Sequence, residues 1–298
     1  MIKTKTRLIS AICTPLTADE SLHHDGLEAH LDEQWRSGIA GVLVGGTMGL
    51  MQLLADKTYL DLARRATQLS RGRGEIMVGV GDTSFARTVE RIERVHELDI
   101  DGVVVITPYL WKYTQTELVD YFRAVADRSK KAVYLYDLPG LTGTKLSFET
   151  VLAVATHPNI AGIKCSGSWD WTRQLVDRIG DRFRVIPAQP HLVDTMIQSG
   201  VRDNLDGIYG LAPQRSVAIA QAAEQGNWPE AARRQQWLSA LLEVIAVKYP
   251  VFPACTTVLN ARGIPGNFAP APIRPLDPQQ RQALLDEPVI RDLLSDDR

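Results

Sequence analysis

The sequence predicts an α/β protein: a closed (β/α)8 TIM barrel with a C-terminal helical extension. Three observations carry that expectation. Eight short runs rich in Val, Ile and Gly recur along the 298 residues. They stand roughly 20 to 35 residues apart, the length of one strand-plus-helix unit, and amphipathic stretches separate them. No cofactor glycine pattern points instead to an open nucleotide-binding sheet. Gly79-Val80-Gly81 has Ser84 where a third glycine is needed, and the glycine-rich turn Gly45-Gly46-Thr47-Met48-Gly49 is not followed by Gly-Lys-Ser or Gly-Lys-Thr.

The strands are expected at residues 8–14, 41–45, 76–81, 102–107, 133–138, 161–165, 184–188 and 206–211. Near-continuous apolar strands are what a parallel sheet covered by helices requires. Between them the sequence reads as helices over 25–37, 56–70, 83–98, 116–129, 147–156, 171–179 and 190–199. Asp56, Thr116 and Ser147 each stand before an apolar-periodic stretch as caps, and Glu149 follows Ser147 closely. Beyond residue 211 the pattern changes to helices alone, over 214–226, 229–248 and 278–294, with Pro229 in a first turn. The Pro-rich stretch 263–275 reads as an extended surface connection. The expected division is a barrel over residues 1–213 and a helical region over 214–298 packed on it.

Composition narrows the class of function. Lys and Arg number 33 against 35 Asp and Glu, a net charge of −2, and no long run of like charge occurs. Nucleic-acid and membrane-surface partners are disfavoured. The start, Met1 to Arg7, is basic, but residues 8–16 are interrupted by Ser10, Thr14 and Pro15 and are too short and polar for a signal. No apolar stretch is long enough to span a bilayer. Cys13, Cys165 and Cys255 are odd in number and far apart, which fits a reduced cytoplasm rather than a disulfide framework.

Lys164 is the residue that asks for an explanation. It closes the apolar run Ala161-Gly162-Ile163-Lys164-Cys165, where a strand enters the interior. Burial disfavours a charged amine, and a neutral amine in a pocket is what Schiff-base chemistry on a ketone needs. The competing reading is a lysine that snorkels from a strand end or closes an internal ion pair. Upstream, Tyr134 and Tyr136 share one strand face, with Tyr136 nearer the carboxyl end, where its hydroxyl can pass protons to a substrate. In a barrel the carboxyl ends of the strands face one mouth, so Lys164, Tyr136, the Thr47 turn and the segment at Gly207 and Ile208 converge there. The six histidines, at 23, 24, 30, 96, 157 and 191, form no paired ligand motif, so neither a metal nor any other cofactor is expected.

These segments resemble the dihydrodipicolinate synthase and N-acetylneuraminate lyase family of class I pyruvate-type aldolases over nearly the whole chain. The family's G-T-x-G turn is similar to Gly46-Thr47-Met48-Gly49, its Y-x-x-P strand end to Tyr136-Asp137-Leu138-Pro139, and its G-I-K-x-S segment to Gly162-Ile163-Lys164-Cys165-Ser166. Thr14-Pro15, Thr107-Pro108-Tyr109 and Gly207-Ile208 also look like family signatures. The resemblance implies a metal-independent lyase acting on a small-molecule 2-oxo acid. Lys164 would form the imine and Tyr136 act as acid and base. Gly46, Thr47, Met48, Tyr109, Leu141, Ser166 and Ile208 would line the substrate site. A homo-oligomer, dimer or tetramer, follows by the same analogy.

Departures from the family pattern bear on the substrate. Met48, Gly49 and Leu50 stand where a second hydroxyl residue, then Gly-Glu, is usual. Tyr109 is followed by Leu110 and Trp111 rather than by the relay tyrosine of the synthase, and Leu141 replaces the synthase's arginine. Gln189, Pro190 and His191 replace the acidic pair of sialate lyases. A 2-keto-3-deoxy sugar acid or an arylidene pyruvate is therefore the preferred substrate class. Dihydrodipicolinate synthesis from pyruvate and aspartate semialdehyde is the first rival, and a non-catalytic 2-oxo acid binding barrel the second. Trp111, Trp169 and Trp171 are expected in loops around the mouth, and Asp137, on the opposite strand face from Tyr136, is read as structural.

Overall fold

A computed structural model describes residues 5–295. The basic start therefore lies outside the described residues up to Thr4. Eight parallel strands form one sheet: β1 Arg7–Ala11, β2 Gly41–Val44, β3 Glu75–Gly79, β4 Gly102–Ile106, β5 Ala132–Asp137, β6 Ile160–Cys165, β7 Arg184–Pro187 and β8 Asp203–Asp206. Their order is β7-β6-β5-β4-β3-β2-β1-β8, so the last strand pairs with the first and the sheet curls into a nearly closed TIM barrel. The expected fold class is borne out.

Helices alternate with the strands: α1 His24–Arg36, α2 Asp56–Ser70, α3 Phe85–Val95, α4 Gln115–Arg128, a single turn α5 Pro139–Thr142, α6 Phe148–Val154, α7 Trp169–Ile179 and α8 Val193–Gln198. The tail adds α9 Pro213–Glu224, α10 Trp228–Leu242, α11 Val251–Ala261, α12 Pro278–Leu285 and α13 Pro288–Ser295. Caps locate several starts. Thr114, not Thr116, caps α4 in a reciprocal box with Glu117, because only a residue ahead of the first turn can reach the free amide at the third position. Ser147 caps α6 by accepting from the Thr150 amide. Asp56 lies inside the first turn of α2, where its charge suits the helix dipole rather than a cap.

Three expectations need correction. The eighth strand is Asp203–Asp206, and residues 208–210 form a 3-10 turn beyond it. The apolar run 208–211 looked like the strand, yet Ile208, Tyr209 and Leu211 pack in the outer helical layer. The true strand is polar and each polar group has a partner. Asp203 pairs with Arg7 and Arg184, and Asn204 accepts from the Tyr209 hydroxyl at 2.8 Å. The stretch 263–275 is extended and reaches the surface at residues 271, 272, 274 and 275, but its first half is pinned: Leu16 and Asn267 exchange two backbone hydrogen bonds of 2.8 Å, and Phe268 is fully buried. Helix α11 was not anticipated, and the last expected helix is two, α12 and α13, interrupted ahead of Pro288.

Two apolar clusters hold the molecule. One fills the barrel and its helical jacket, and the other joins Leu8, Cys13 and Ile39 to helices α8 to α13. The floor of the barrel is charged. Arg184 binds Glu75 and Asp203, Arg7 reaches Asp203 from the neighbouring strand at 2.7 Å, and the Tyr134 hydroxyl lies 3.4 Å from Arg184. An open cavity of about 500 Å³ at this end is lined by Arg182, Arg184, Gly200 and Asp203 and contains no nucleophile.

His30 on α1 is fully buried, both ring nitrogens lack partners, and burial lowers its pKa to about 3. The unfolded chain, with an ordinary value near 6.5, binds more protons between those limits. Stability therefore falls as the pH drops below about 6.5, by up to ~1.4 kcal/mol per pH unit. Urea unfolding of His30→Leu against the unaltered protein from about pH 7 to pH 4.5 is expected to show a shallower loss in the variant. Parallel curves would refute it.

Candidate active site

The carboxyl ends of β2, β5 and β6 assemble one constellation. In β6, Lys164 sits in register with Tyr136 of β5 and Ile186 of β7. Its side chain is only 4 % exposed. The amine donates to Ser166 Oγ at 2.9 Å and stands 3.8 Å above the centroid of the Tyr136 ring. No carboxylate lies within ion-pairing distance of Lys164 among the described residues, so the lysine closes no internal salt bridge. The Tyr136 hydroxyl lies 3.2 Å from Thr47 Oγ1. Tyr136 thus joins β6 to the turn after β2, meeting the lysine through its ring face and the threonine through its hydroxyl.

Local sequence explains why that turn exists. Gly45 follows β2 with φ of 60°, a left-handed conformation that favours glycine, and the chain doubles back so that the Met51 amide donates to the Gly46 carbonyl at 3.3 Å. Thr14, in the loop after β1, clamps the turn by donating to the Gly49 carbonyl at 2.7 Å. On the other side, Thr107 donates through its amide to the Tyr136 carbonyl at 3.1 Å, fixing the end of β5. The Ser166 amide bonds the Asp137 carbonyl at 2.9 Å, so the chain beyond Lys164 is held as well.

Asp137 faces away from the lysine. Buried completely, it pairs with Lys145 and accepts from the Leu146 amide at 3.1 Å. Burial raises its pKa, with Lys145 working in the opposite direction. Lys145 in turn lies 3.1 Å over the Trp171 ring, which stacks on Phe148 with centroids 5.1 Å apart. Trp169 and Trp171 therefore belong to the first turn of α7, not to free loops, and Trp171 packs the Lys145 pair in place. Trp111 is 76 % exposed beside Leu110, which is 81 % exposed and holds a φ of 79°.

Lys164, Tyr136, Thr47 and Ser166 are brought into contact. Gly46 and Met48 belong to the same turn, and Met48 packs so closely on Gly207 that a side chain at 207 would collide with it. Leu141, 63 % exposed on α5, and buried Ile208 make no described hydrogen bond to this group. Tyr109 is set among Asp82, Arg87 and Arg91, and burial pushes its hydroxyl up to about 12. Sequence reasoning missed Asp206, the last residue of β8, whose pKa burial raises and whose charge interacts with Lys164. The only available signal was a lone acid beside Gly207, hidden by the displaced strand boundary. Among the described residues, no three His, Cys, Asp or Glu side chains cluster as metal ligands, and no helix is long and apolar enough to cross a membrane.

A parallel barrel carrying a buried lysine, a tyrosine and a threonine at its mouth has the architecture of a class I lyase, an enzyme that works through a lysine imine and needs no metal. Comparison with known proteins places the chain within that class. The sequence pattern of the dihydrodipicolinate synthetase family matches residues 4–287, and the chain belongs to this family. A 4-hydroxy-tetrahydrodipicolinate synthase from an Exiguobacterium species is 28 % identical over 94 % of this chain and 96 % of its own length. Another from Stenotrophomonas maltophilia is 40 % identical over 65 % of this chain and 66 % of its own. Among solved structures, YagE of E. coli K12, a dihydrodipicolinic acid synthase family protein in complex with pyruvate, superposes with a TM-score of 0.88. It is 26 % identical, covering 97 % of this chain and 98 % of its own. A Sulfolobus solfataricus 2-keto-3-deoxygluconate aldolase variant, 22 % identical over 97 % of each chain with a TM-score of 0.86, shares the fold.

Proposed function

We propose that this chain is a Schiff-base lyase for pyruvate or a related 2-oxo acid, with Lys164 as nucleophile and Tyr136 as acid and base. The observation that carries the reading is the buried Lys164 amine lying over the Tyr136 ring, with the Tyr136 hydroxyl beside Thr47. The amine attacks the ketone carbon to give a carbinolamine. Tyr136 protonates its hydroxyl, water leaves, and the cationic imine then draws electrons from the neighbouring carbon, stabilising the carbanion that an aldol or elimination step needs. The Gly46-Thr47-Met48 turn, with its backbone amides, holds the carboxylate, and Ser166 orients the amine before attack.

The preferred substrates are 2-keto-3-deoxy sugar acids or arylidene pyruvates. Leu141 offers no cation for the carboxylate of aspartate semialdehyde, and Leu110 offers no hydroxyl for a relay through a partner subunit. The relatives' names keep dihydrodipicolinate synthesis as the second reading. A homo-oligomer, dimer or tetramer, fits the exposed Leu110 and Trp111, and a cytoplasmic setting fits three unpaired, buried cysteines. Borohydride reduction with pyruvate and a panel of 2-oxo acids, followed by peptide mass mapping, is expected to place the adduct on Lys164. An adduct elsewhere, or none with any 2-oxo acid, overturns the proposal. Ordinary turnover of pyruvate with aspartate semialdehyde in a coupled assay selects the second reading. Trapping without turnover of any 2-oxo acid leaves only a binding barrel.

A further inference from the structure

We infer that the pair formed by Asp137 and Lys145 positions Lys164 for attack, acting through Tyr136 and Ser166. This rests on the reading of Lys164 as the imine-forming residue; the pair itself meets no reacting atom, so both members are positioning residues. Two groups hold the Lys164 amine, the Tyr136 ring, whose centroid is 3.8 Å away, and the Ser166 hydroxyl at 2.9 Å. Both are anchored to Asp137. Tyr136 is its neighbour in β5, and the Ser166 amide donates to the Asp137 carbonyl at 2.9 Å. The carboxylate of the same residue accepts from the Leu146 amide at 3.1 Å and from the Lys145 amine. Gly167, next after Ser166, rests against that pair: a Cβ at this position would lie 3.6 Å from Lys145 Nζ and 3.9 Å from Asp137 Oδ2. From the opposite side, the Gln189 side chain donates to the Gly167 carbonyl.

Asp137 is wholly buried, and a carboxyl group there is tolerated only while its hydrogen-bond partners stay in place. Lys145 is fixed in turn. Its amine lies 3.1 Å over the Trp171 ring, and its carbonyl accepts from the Gln115 side chain at 2.9 Å, which ties this loop to α4. Removing the amine leaves Asp137 short of a partner. The carboxyl then turns, or water enters beside Gly167, and either event shifts the Ser166 backbone and the end of β5 together. A misplacement of about 1 Å at a reacting centre costs about 10²-fold in rate, so a smaller shift is worth about tenfold. The turn after β2 that holds the substrate carboxylate is clamped separately, by Thr14 on the Gly49 carbonyl. Binding of the keto acid is therefore expected to survive.

The experiment quenches the protein with borohydride at successive times after mixing with pyruvate, which gives the rate of imine formation on Lys164, its plateau and its half-saturation. Lys145→Met keeps the stem and deletes the amine. Asp137→Asn keeps an acceptor for the Leu146 amide but turns a second N–H group toward Lys145. Each is expected to slow trapping about tenfold, with plateau and half-saturation within about twofold of the unaltered protein. The double variant is expected to be no slower than either single one, since both remove the same contact. Lys145→Arg, which still bonds Asp137 and covers Trp171, is expected to recover most of the rate. A merely structural pair would lower the urea midpoint and leave the rate of the folded protein intact, so unchanged rates overturn the inference, and so do losses that add in the double variant. Lys145 is 35 % exposed, so Lys145→Met and Lys145→Arg decide the matter even where Asp137→Asn does not fold. If the unaltered protein is not trapped at Lys164 at all, the imine reading itself fails and the positioning pair with it. Normal trapping in the unaltered protein with an indifferent Lys145→Met removes the pair alone.

Discussion

Lys164→Ala is expected to give no borohydride-trapped species with pyruvate and a loss of turnover on the order of 10⁴-fold or more. The amine donates to Ser166 and stands against the Tyr136 ring, and alanine leaves these two with no nucleophile between them. Lys164→Arg is the sharper control. A guanidinium fills similar space but stays protonated at any workable pH and forms no imine. Both variants are expected to fold, because Lys164 lies one residue from the end of its strand and the Ser166 and Ala188 amides still tie β6 to its neighbours. Lys145 is the nearby rival nucleophile, yet its amine is engaged by buried Asp137 and covers the Trp171 ring. Irreversible capture of Lys164→Arg with pyruvate, at Lys145 or anywhere else, would sink the assignment.

Tyr136→Phe carries the second largest effect, a fall in kcat of about 10² to 10⁴-fold. Phenylalanine keeps the ring beneath the Lys164 amine and deletes only the hydroxyl that meets Thr47. Imine formation is expected to persist at equilibrium but to form slowly, since the carbinolamine hydroxyl must then find its proton in water. Single-turnover trapping separates these cases: the plateau should hold while the rate drops. A variant with undiminished kcat would show that the proton travels by another route.

How much of this was legible beforehand follows from what each residue says to its neighbours in sequence. Seven strands announced themselves because each contains a run of mainly apolar residues, and the mouth residues Lys164 and Tyr136 stood out as polar groups late in such runs. β8 did not, because Asp203, Asn204 and Asp206 are satisfied by Arg7, Arg184, Tyr209 and Ile208, partners up to 196 positions away. Pairings of that kind leave no trace in local periodicity. The same reason hid Asp206 from the list of site residues. The Pro-rich stretch was misplaced for a related cause: its composition specifies an extended chain, but only tertiary packing decides that Phe268 lies inside. Asp137 was read correctly as structural from strand alternation alone, while its partner Lys145 could not be foreseen.

The charged floor of the barrel has an evolutionary consequence. Arg7, Glu75, Arg184 and Asp203 come from four different strands, and each answers the charge of another. Losing any single member leaves its partners short of an opposite charge at a half-buried barrel end, so these four positions are free to drift only as a set. A lineage that recruits this scaffold to new chemistry can rewrite the mouth one residue at a time, while its base has to be inherited whole or exchanged whole.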